Sequence, residues 1–259
     1  MTAVAVHHEV TGPADAPVVV LSNSLGSTLE MWDAQAARLA ERYRVVRYDT
    51  RGHGRSPVPS GPYSIDDVTD DVVALLDRFG VERAHFVGLS LGGMTGLRLA
   101  ARDRERVDRL VVLCTGAHLA PSSAWTERAA TVRAEGTGAV AKAVVGRWFN
   151  PAYLQARPTV RKESEEMVAT TPAEGYASCC EAIAAMDLRP DLASIAAPTL
   201  AIAGADDPAT PPPHLQAIAD AVQDGRLLVV PDAAHLANAQ QPGVVTAAIF
   251  DHLGNGATS

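Results

Sequence analysis

The pentapeptide Gly88-Leu89-Ser90-Leu91-Gly92 sets a hydroxyl two residues from a glycine on either side. It follows the apolar run Ala84-His85-Phe86-Val87 and precedes a segment, Gly93 to Ala100, that suits a helix. In the order strand, tight turn, helix, such a stretch reads as a nucleophile elbow. Its glycines let the chain turn sharply, so the serine hydroxyl projects above the sheet at a helix N-terminus. A serine hydroxyl is a weak nucleophile at neutral pH. It needs a base to accept its proton and a third group to hold that base in the useful tautomer. The elbow therefore predicts two partners downstream, in chain order Ser, Asp, His.

Both partners occur. Asp207 lies in Gly204-Ala205-Asp206-Asp207-Pro208, directly after the apolar run Thr199 to Ala203. His235 lies in Pro231-Asp232-Ala233-Ala234-His235, directly after the run Leu227 to Val230. From position alone either Asp206 or Asp207 could orient the base while the other caps a turn. Among the eight histidines, His7, His8 and His252 lie near the termini, His85 within a strand, His118 at the start of a helical region and His214 at a helix start. Only His235 has the right place in the order. An oxyanion forming at an acyl carbon needs two N–H donors. The first is the backbone N–H of Leu91, after the elbow serine, and the second should come from the loop after an early strand. That loop is Ser22-Asn23-Ser24-Leu25-Gly26, with the Leu25 N–H as candidate. The segment Asp49-Thr50-Arg51-Gly52-His53-Gly54 is rich in glycine but lacks the lysine spacing of a phosphate loop, so it reads as a turn with His53 structural.

These groups need elements to position them. Short β-branched runs at Val18 to Leu21, Tyr43 to Tyr48, Ala84 to Leu89 and Leu110 to Cys114 alternate with amphipathic stretches, the pattern of parallel strands joined by crossover helices. Ile65, Val68, Val72, Leu75, Leu76 and Phe79 recur at helical spacing, with Ser64 as N-cap and Gly80 just past the end. The charged stretch Arg98 to Arg109 reads as a solvated helix end and loop. From Pro121 to Leu188 the strand rhythm stops, and glycine- and proline-punctuated segments suggest several short helices. Strands return at Thr199 to Ala203 and Leu227 to Val230, with helices after Pro211-Pro212-Pro213 and over Val244 to Leu253. The expected organisation is an α/β core over residues 1–120 and 189–259, a helical cap over 121–188, and a frayed tail from Gly254 to Ser259.

The totals narrow the partners. Lys and Arg number 22 and Asp and Glu 30, a net charge of −8, which disfavours nucleic acid because its binders concentrate positive charge. The same balance repels anions, so an acidic substrate would need a local cation in its pocket. Cys114, Cys179 and Cys180 have neither a disulfide framework nor metal-ligand spacing. The adjacent pair reads as packing residues on a helix. The N-terminus lacks a signal-like segment and no run has the roughly 18 apolar residues needed to span a bilayer, so the expectation is a cytoplasmic protein without membrane contact.

Elbow, acid and histidine in register make the chain resemble the α/β-hydrolase superfamily over nearly its whole length. The narrower resemblance is to 3-oxoadipate enol-lactonases. It rests on Ser22-Asn23-Ser24-Leu25-Gly26 with Met31-Trp32, Tyr48-Asp49-Thr50-Arg51-Gly52-His53-Gly54, Gly146-Arg147-Trp148-Phe149, and Asp207-Pro208-Ala209-Thr210-Pro211-Pro212. Where the superfamily loop commonly has His-Gly this chain has Asn23-Ser24, as the enol-lactonases do. The resemblance implies a mostly parallel central sheet flanked by helices with an inserted helical cap. It favours Asp207, before the proline, as the acid. It implies hydrolysis of a lactone of the β-ketoadipate pathway for aromatic catabolism through an acyl-enzyme on Ser90, with no metal or organic cofactor. The substrate would be a small lactone or ester, and a homo-oligomer is compatible with the chain. The carboxylate of such a lactone calls for the cation required above, and Arg147 beside Trp148 is the candidate. The same fold also carries general carboxylesterases, thioesterases, cofactor-free perhydrolases and non-catalytic receptors.

Overall fold

The most apolar runs of the sequence form the centre of a seven-stranded sheet. A computed structural model describes residues 2–254; the expected frayed tail beyond Gly254 lies outside the described residues. In chain order the elements are β1 (His8–Thr11), β2 (Val18–Ser22), α1 (Asp33–Leu39), β3 (Arg44–Tyr48), α2 (Ile65–Arg78), β4 (Ala84–Leu89), α3 (Leu91–Arg102) and β5 (Val107–Leu113). Five helices follow: α4 (Ser122–Glu135), α5 (Gly138–Trp148), α6 (Pro151–Ala156), α7 (Pro158–Ala169) and α8 (Ala173–Ala185). The chain ends with β6 (Thr199–Gly204), α9 (Pro212–Ala221), β7 (Gly225–Val230), α10 (Ala237–Gln240) and α11 (Pro242–Gly254).

The strand order is β1-β3-β2-β4-β5-β6-β7, parallel throughout except for β1, which pairs antiparallel with β3. Every residue of β2, β4 and β6 is buried, as a strand covered on both faces by helices requires. Helix α3 packs on β2, β4 and β5, α9 on β6 and β7, and α11 on β5 and β6. Helix α2 begins where expected, with Ser64 and Asp67 closing a capping box. The β1 strand was not anticipated, because His8-Glu9-Val10-Thr11 is a half-exposed edge without an apolar run. The stretch expected as a solvated loop up to Arg109 departs from that reading. Strand β5 already starts at Val107, since Val107, Leu110 and the apolar residues after them alternate into the sheet against β4.

β5 and β6 are hydrogen-bonded neighbours, although all five helices α4–α8 lie between them in sequence. Those helices therefore leave from the carboxyl end of β5, and the chain then crosses back to enter β6 at its amino end. α4 pairs with α8 and α5 with α7. Cys179 and Cys180 are buried in α8, and all three cysteines are free thiols.

Beneath the loop after β3 lies a buried ion pair. Arg51 donates to both oxygens of Asp71 on α2, each at 2.6 Å, with side chains 0% and 1% exposed. Asp71 also accepts the Val4 N–H at 2.7 Å, so the pair ties the N-terminal segment, the β3 loop and α2 together. Removing one partner leaves a buried charge without compensation. Asp71→Ala is expected to lose about 3–5 kcal/mol of stability, read as the shift in urea midpoint at constant m-value.

Candidate active site

Ser90 sits between β4 and α3 with φ 54° and ψ −113°, a backbone region that L residues rarely occupy. The turn is held by hydrogen bonds from Ser90 N–H to the Leu113 carbonyl at 2.9 Å, and from the Thr115 hydroxyl to the Ser90 carbonyl at 2.8 Å. Its glycines are obligatory for space. A Cβ at Gly88 would lie 2.1 Å from the Gly92 carbonyl oxygen, and one at Gly92 would lie 2.3 Å from the Ser22 carbonyl oxygen.

The later loops bring Asp207 and His235 together. Asp207 Oδ2 accepts from His235 Nδ1 at 2.8 Å, with both side chains buried. Thr210 donates its hydroxyl to the same oxygen at 2.7 Å, and the Ala209 and Thr210 N–H groups donate to Oδ1 at 2.8 and 3.2 Å. Burial pushes the Asp207 carboxyl up. The hydrogen bond and charge of His235, with the donors from Thr210 and Ala209, outweigh it and hold the carboxyl below its ordinary range. With Nδ1–H committed to Asp207, the imidazole presents Nε2 as its free acceptor. Asp206, the sequence competitor, is exposed and accepts instead from Asn150 Nδ2 at 2.8 Å.

The loop after β2 is braced from below. Ser24 N–H points to Met31 Sδ at 3.3 Å and Gly26 N–H to His53 Nε2 at 3.0 Å. The intervening Leu25 N–H has no acceptor among the described residues, and Leu91, first in α3, has no intrahelical acceptor for its own N–H. Asn23 N–H donation from its side chain to the Tyr48 carbonyl at 2.8 Å fixes the loop to β3. His53, read from sequence as structural, is wholly buried. Its Nδ1 meets the Arg51 carbonyl at 3.2 Å, so the proton sits there and Nε2 is the acceptor for Gly26.

Ser24, Leu25, Ser90, Thr210 and His235 open onto one cavity of about 220 Å³. Its other wall comes from the inserted helices and includes Trp125 and Arg128 of α4, Arg147 and Trp148 of α5, and Tyr176 of α8. Arg147 and Trp148, the pair singled out in the sequence, both line this cavity. Arg128 and Tyr176 were not singled out in the sequence, because α4 has exposed residues on most of its surface and no motif marks either position. Among the described residues, neither arginine makes an ion pair. Arg128 lies over the Trp125 ring at 4.6 Å. Among the described residues the buried Tyr176 hydroxyl has no closely aligned hydrogen-bond partner, and the Arg128 side chain is the polar group that interacts with it. Burial, and next the like charge of Arg128, push the Arg147 pKa down. The arrangement offers a nucleophile, a base, two free backbone N–H donors and two uncompensated cations around one small cavity. That set suits acyl transfer on a substrate carrying a negative group.

The chain is similar to known proteins over most of its length. A family model described as alpha/beta hydrolase fold matches residues 17–135, and one described as TAP-like protein matches residues 165–259. The chain is 42% identical over 239 residues to 3-oxoadipate enol-lactonase 2 of Acinetobacter baylyi, covering 92% of this chain and 89% of the relative. It is 34% identical to a protein named for carbamate hydrolysis in Variovorax paradoxus, over 95% of each chain. The crystal structure of the enol-lactonase from Burkholderia xenovorans LB400 superposes with a TM-score of 0.94 at 42% identity, covering 96% of both chains.

His53 links the site to pH. Burial lowers its pKa, against the opposing hydrogen bond to the Arg51 carbonyl and the charge of Asp49, so the folded ring stays neutral below the ordinary histidine value. Its contribution to stability is therefore complete above about pH 6.5 and is lost as the pH falls below that value, because the unfolded chain takes up the proton first. In His53→Leu the Gly26 N–H is orphaned. The variant is expected to lose about 1–3 kcal/mol at pH 8, and the fall in its urea midpoint between pH 6.5 and 5 should be shallower than in the wild type.

Proposed function

This chain belongs to the α/β-hydrolase family, and from that premise we propose that it opens the ring of 3-oxoadipate enol-lactone to give 3-oxoadipate, through an acyl-enzyme on Ser90. The observation that carries the reading is the pair of uncompensated guanidinium groups, Arg128 and Arg147, facing the cavity onto which Ser90 and His235 open. The lactone bears one carboxylate. Arg147, with Arg128 and the Tyr176 hydroxyl beside it, supplies the local cation and donors that a chain of net charge −8 must otherwise lack. Trp148, buried at the end of the same helix, gives the ring an apolar wall.

In this mechanism Ser90 Oγ attacks the lactone carbonyl carbon as His235 Nε2 accepts its proton. The N–H groups of Leu25 and Leu91 receive the developing oxyanion. Collapse breaks the ring C–O bond and expels an enolate oxygen, which takes the proton from His235 and becomes a ketone by tautomerisation. That leaving group is far less basic than an amine, so its departure makes modest demands on the acid. Water then attacks the acyl carbon as His235 removes its proton, and the second collapse frees Ser90 and 3-oxoadipate. Asp207 remains ionised, holding the ring tautomer and stabilising the imidazolium. The helices between 121 and 188 act as the cap that supplies the anion-binding wall, while 1–120 and the region from 189 onward supply the machinery.

The relative named for carbamate hydrolysis sets the second reading. A neutral carbamate ester would use the same triad without need of the two cations, whereas a free carbamate anion would be drawn to them as the lactone is. In the lactone assay Ser90→Ala is expected to lose about a millionfold in kcat. Arg147→Ala is expected to raise KM for the anionic lactone roughly 10- to 100-fold, the effect of a lost charged hydrogen bond, and to leave kcat/KM for p-nitrophenyl acetate within about threefold. Equal loss on both substrates would remove the carboxylate-binding role. Faster wild-type turnover of a neutral carbamate than of the lactone would replace the lactonase reading.

A further inference from the structure

The loop that carries His235 is held from two sides. On the core side its ring is tied to Asp207, and the Ala233 carbonyl accepts the Asp206 N–H at 2.9 Å. On the other side it is joined to the end of α5 and the start of α6. The Trp148 carbonyl accepts the Leu236 N–H at 2.8 Å, and the Arg147 carbonyl meets the His235 N–H at 3.4 Å. Tyr153 of α6 donates its hydroxyl to the Ala239 carbonyl at 3.3 Å, and Asn150 bonds to Asp206, beside the triad acid.

Gln240, buried at the end of α10, closes this set. Its Oε1 accepts the Ala234 N–H at 3.1 Å and the Asn150 N–H at 3.3 Å, and its Nε2 donates to the Asp232 carbonyl at 2.8 Å. One amide therefore joins three backbone groups, two from the histidine loop and one from the segment that follows Arg147. The Asp232 backbone needs such support, since a non-glycine residue at φ 53° is intrinsically unfavourable.

We propose that Gln240 is a positioning residue that locks the His235 loop to the end of α5, so that the base and the Arg147 segment are held in one register. The inference rests on the reading of His235 as general base. The backbone bonds from Leu236 to Trp148 and from His235 to Arg147 join the two segments on one side of the ring, and Gln240 adds a second tie upstream of it, at Ala234 and Asp232, that fixes the orientation of the loop. An error of about 1 Å in the Ser90–His235 distance costs on the order of 100-fold in rate. Gln240 makes the two parts a single rigid unit.

The test compares wild type, Gln240→Asn, Gln240→Glu and His235→Ala, all as the full chain. Gln240→Asn keeps the amide but is one carbon too short to reach both N–H groups, a mild change that preserves folding. Gln240→Glu keeps the accepting oxygen but replaces the Nε2 donor with a second oxygen against the Asp232 carbonyl. The readouts are kcat and KM on the lactone, and the rate constant for labelling of Ser90 by a fluorophosphonate, each normalised to the fraction of sites that label. For Gln240→Asn, kcat and labelling rate are expected to fall together by about 10- to 100-fold with KM within about threefold, and Gln240→Glu, which loses the donor to Asp232, should show the same paired fall. A lower labelled fraction with an unchanged labelling rate and kcat per site would mean that Gln240 only stabilises the fold, and would overturn the proposal. So would a rise in KM alone, or a wild-type kcat in both Gln240 variants. His235→Ala separates the two readings. If it labels as fast as the wild type, the assignment of the base fails. If it does not label while the Gln240 variants behave as wild type, only the positioning role fails.

Discussion

The strained turn at Ser90 is the constraint from which the other parts of the site take their places. A residue at φ 54° persists only when its surroundings hold it there. Here the hold comes from the Leu113 carbonyl at the end of β5, from Thr115 just beyond, and from the closeness of Gly88 to Gly92 and of Gly92 to Ser22. The last contact matters most for chemistry. The Gly92 N–H donates to the Asn23 carbonyl at 2.9 Å, so the elbow and the loop bearing Leu25 are fastened directly to each other. The two candidate oxyanion donors thus keep a fixed separation without any side chain between them.

A second layer holds this arrangement from beneath. His53 accepts from Gly26 and is itself anchored on the Arg51 carbonyl, while the Arg51 side chain is locked to Asp71. Asp49 accepts the Leu29 N–H at 2.9 Å and the Arg55 N–H at 2.9 Å, fixing both sides of the same turn. Buried charges are costly unless fully paired. Their presence under the loop is best understood as rigidity, because each partner is held by at least two bonds and has no alternative arrangement in water. The segment from Asp49 to Gly54 is in this sense part of the active site, although none of its side chains needs to touch substrate.

The wall opposite the triad follows another logic. Its helices depart between two adjacent strands, so the same sheet edge that presents Ser90 and His235 also launches the residues that close the cavity. Two cations without carboxylate partners are expensive in a partly buried place, and a buried tyrosine hydroxyl without a closely aligned partner adds to the cost. A carboxylate-bearing substrate would relieve both. Backbone hydrogen bonds from the His235 loop to Arg147 and Trp148 make this wall continuous with the machinery.

The positions of the buried strands, the tight turn at Ser90 and the pairing of Asp207 with His235 were legible from the sequence because each depends on local pattern. Apolar runs determine which strands lie deep in a parallel sheet, and close-packed glycines mark where the backbone must turn without a Cβ. The choice of Asp207 over its neighbour needed resemblance in the sequence; in the structure it follows from which carboxylate is buried against the ring and which faces Asn150. Strand β1 was not legible, since an edge strand pairs on one side only and needs no apolar run. Nor were the convergence of Arg128 with Arg147, the buried hydroxyl of Tyr176, and the bridge made by Gln240. These residues come from different helices far apart in the chain, carry no spacing of their own, and acquire meaning only from what lies next to them. Sequence determined the local geometry of the nucleophile, where a few adjacent residues suffice. Tertiary structure alone decided what faces it, because the charge balance of a cavity is a property of packing between distant segments.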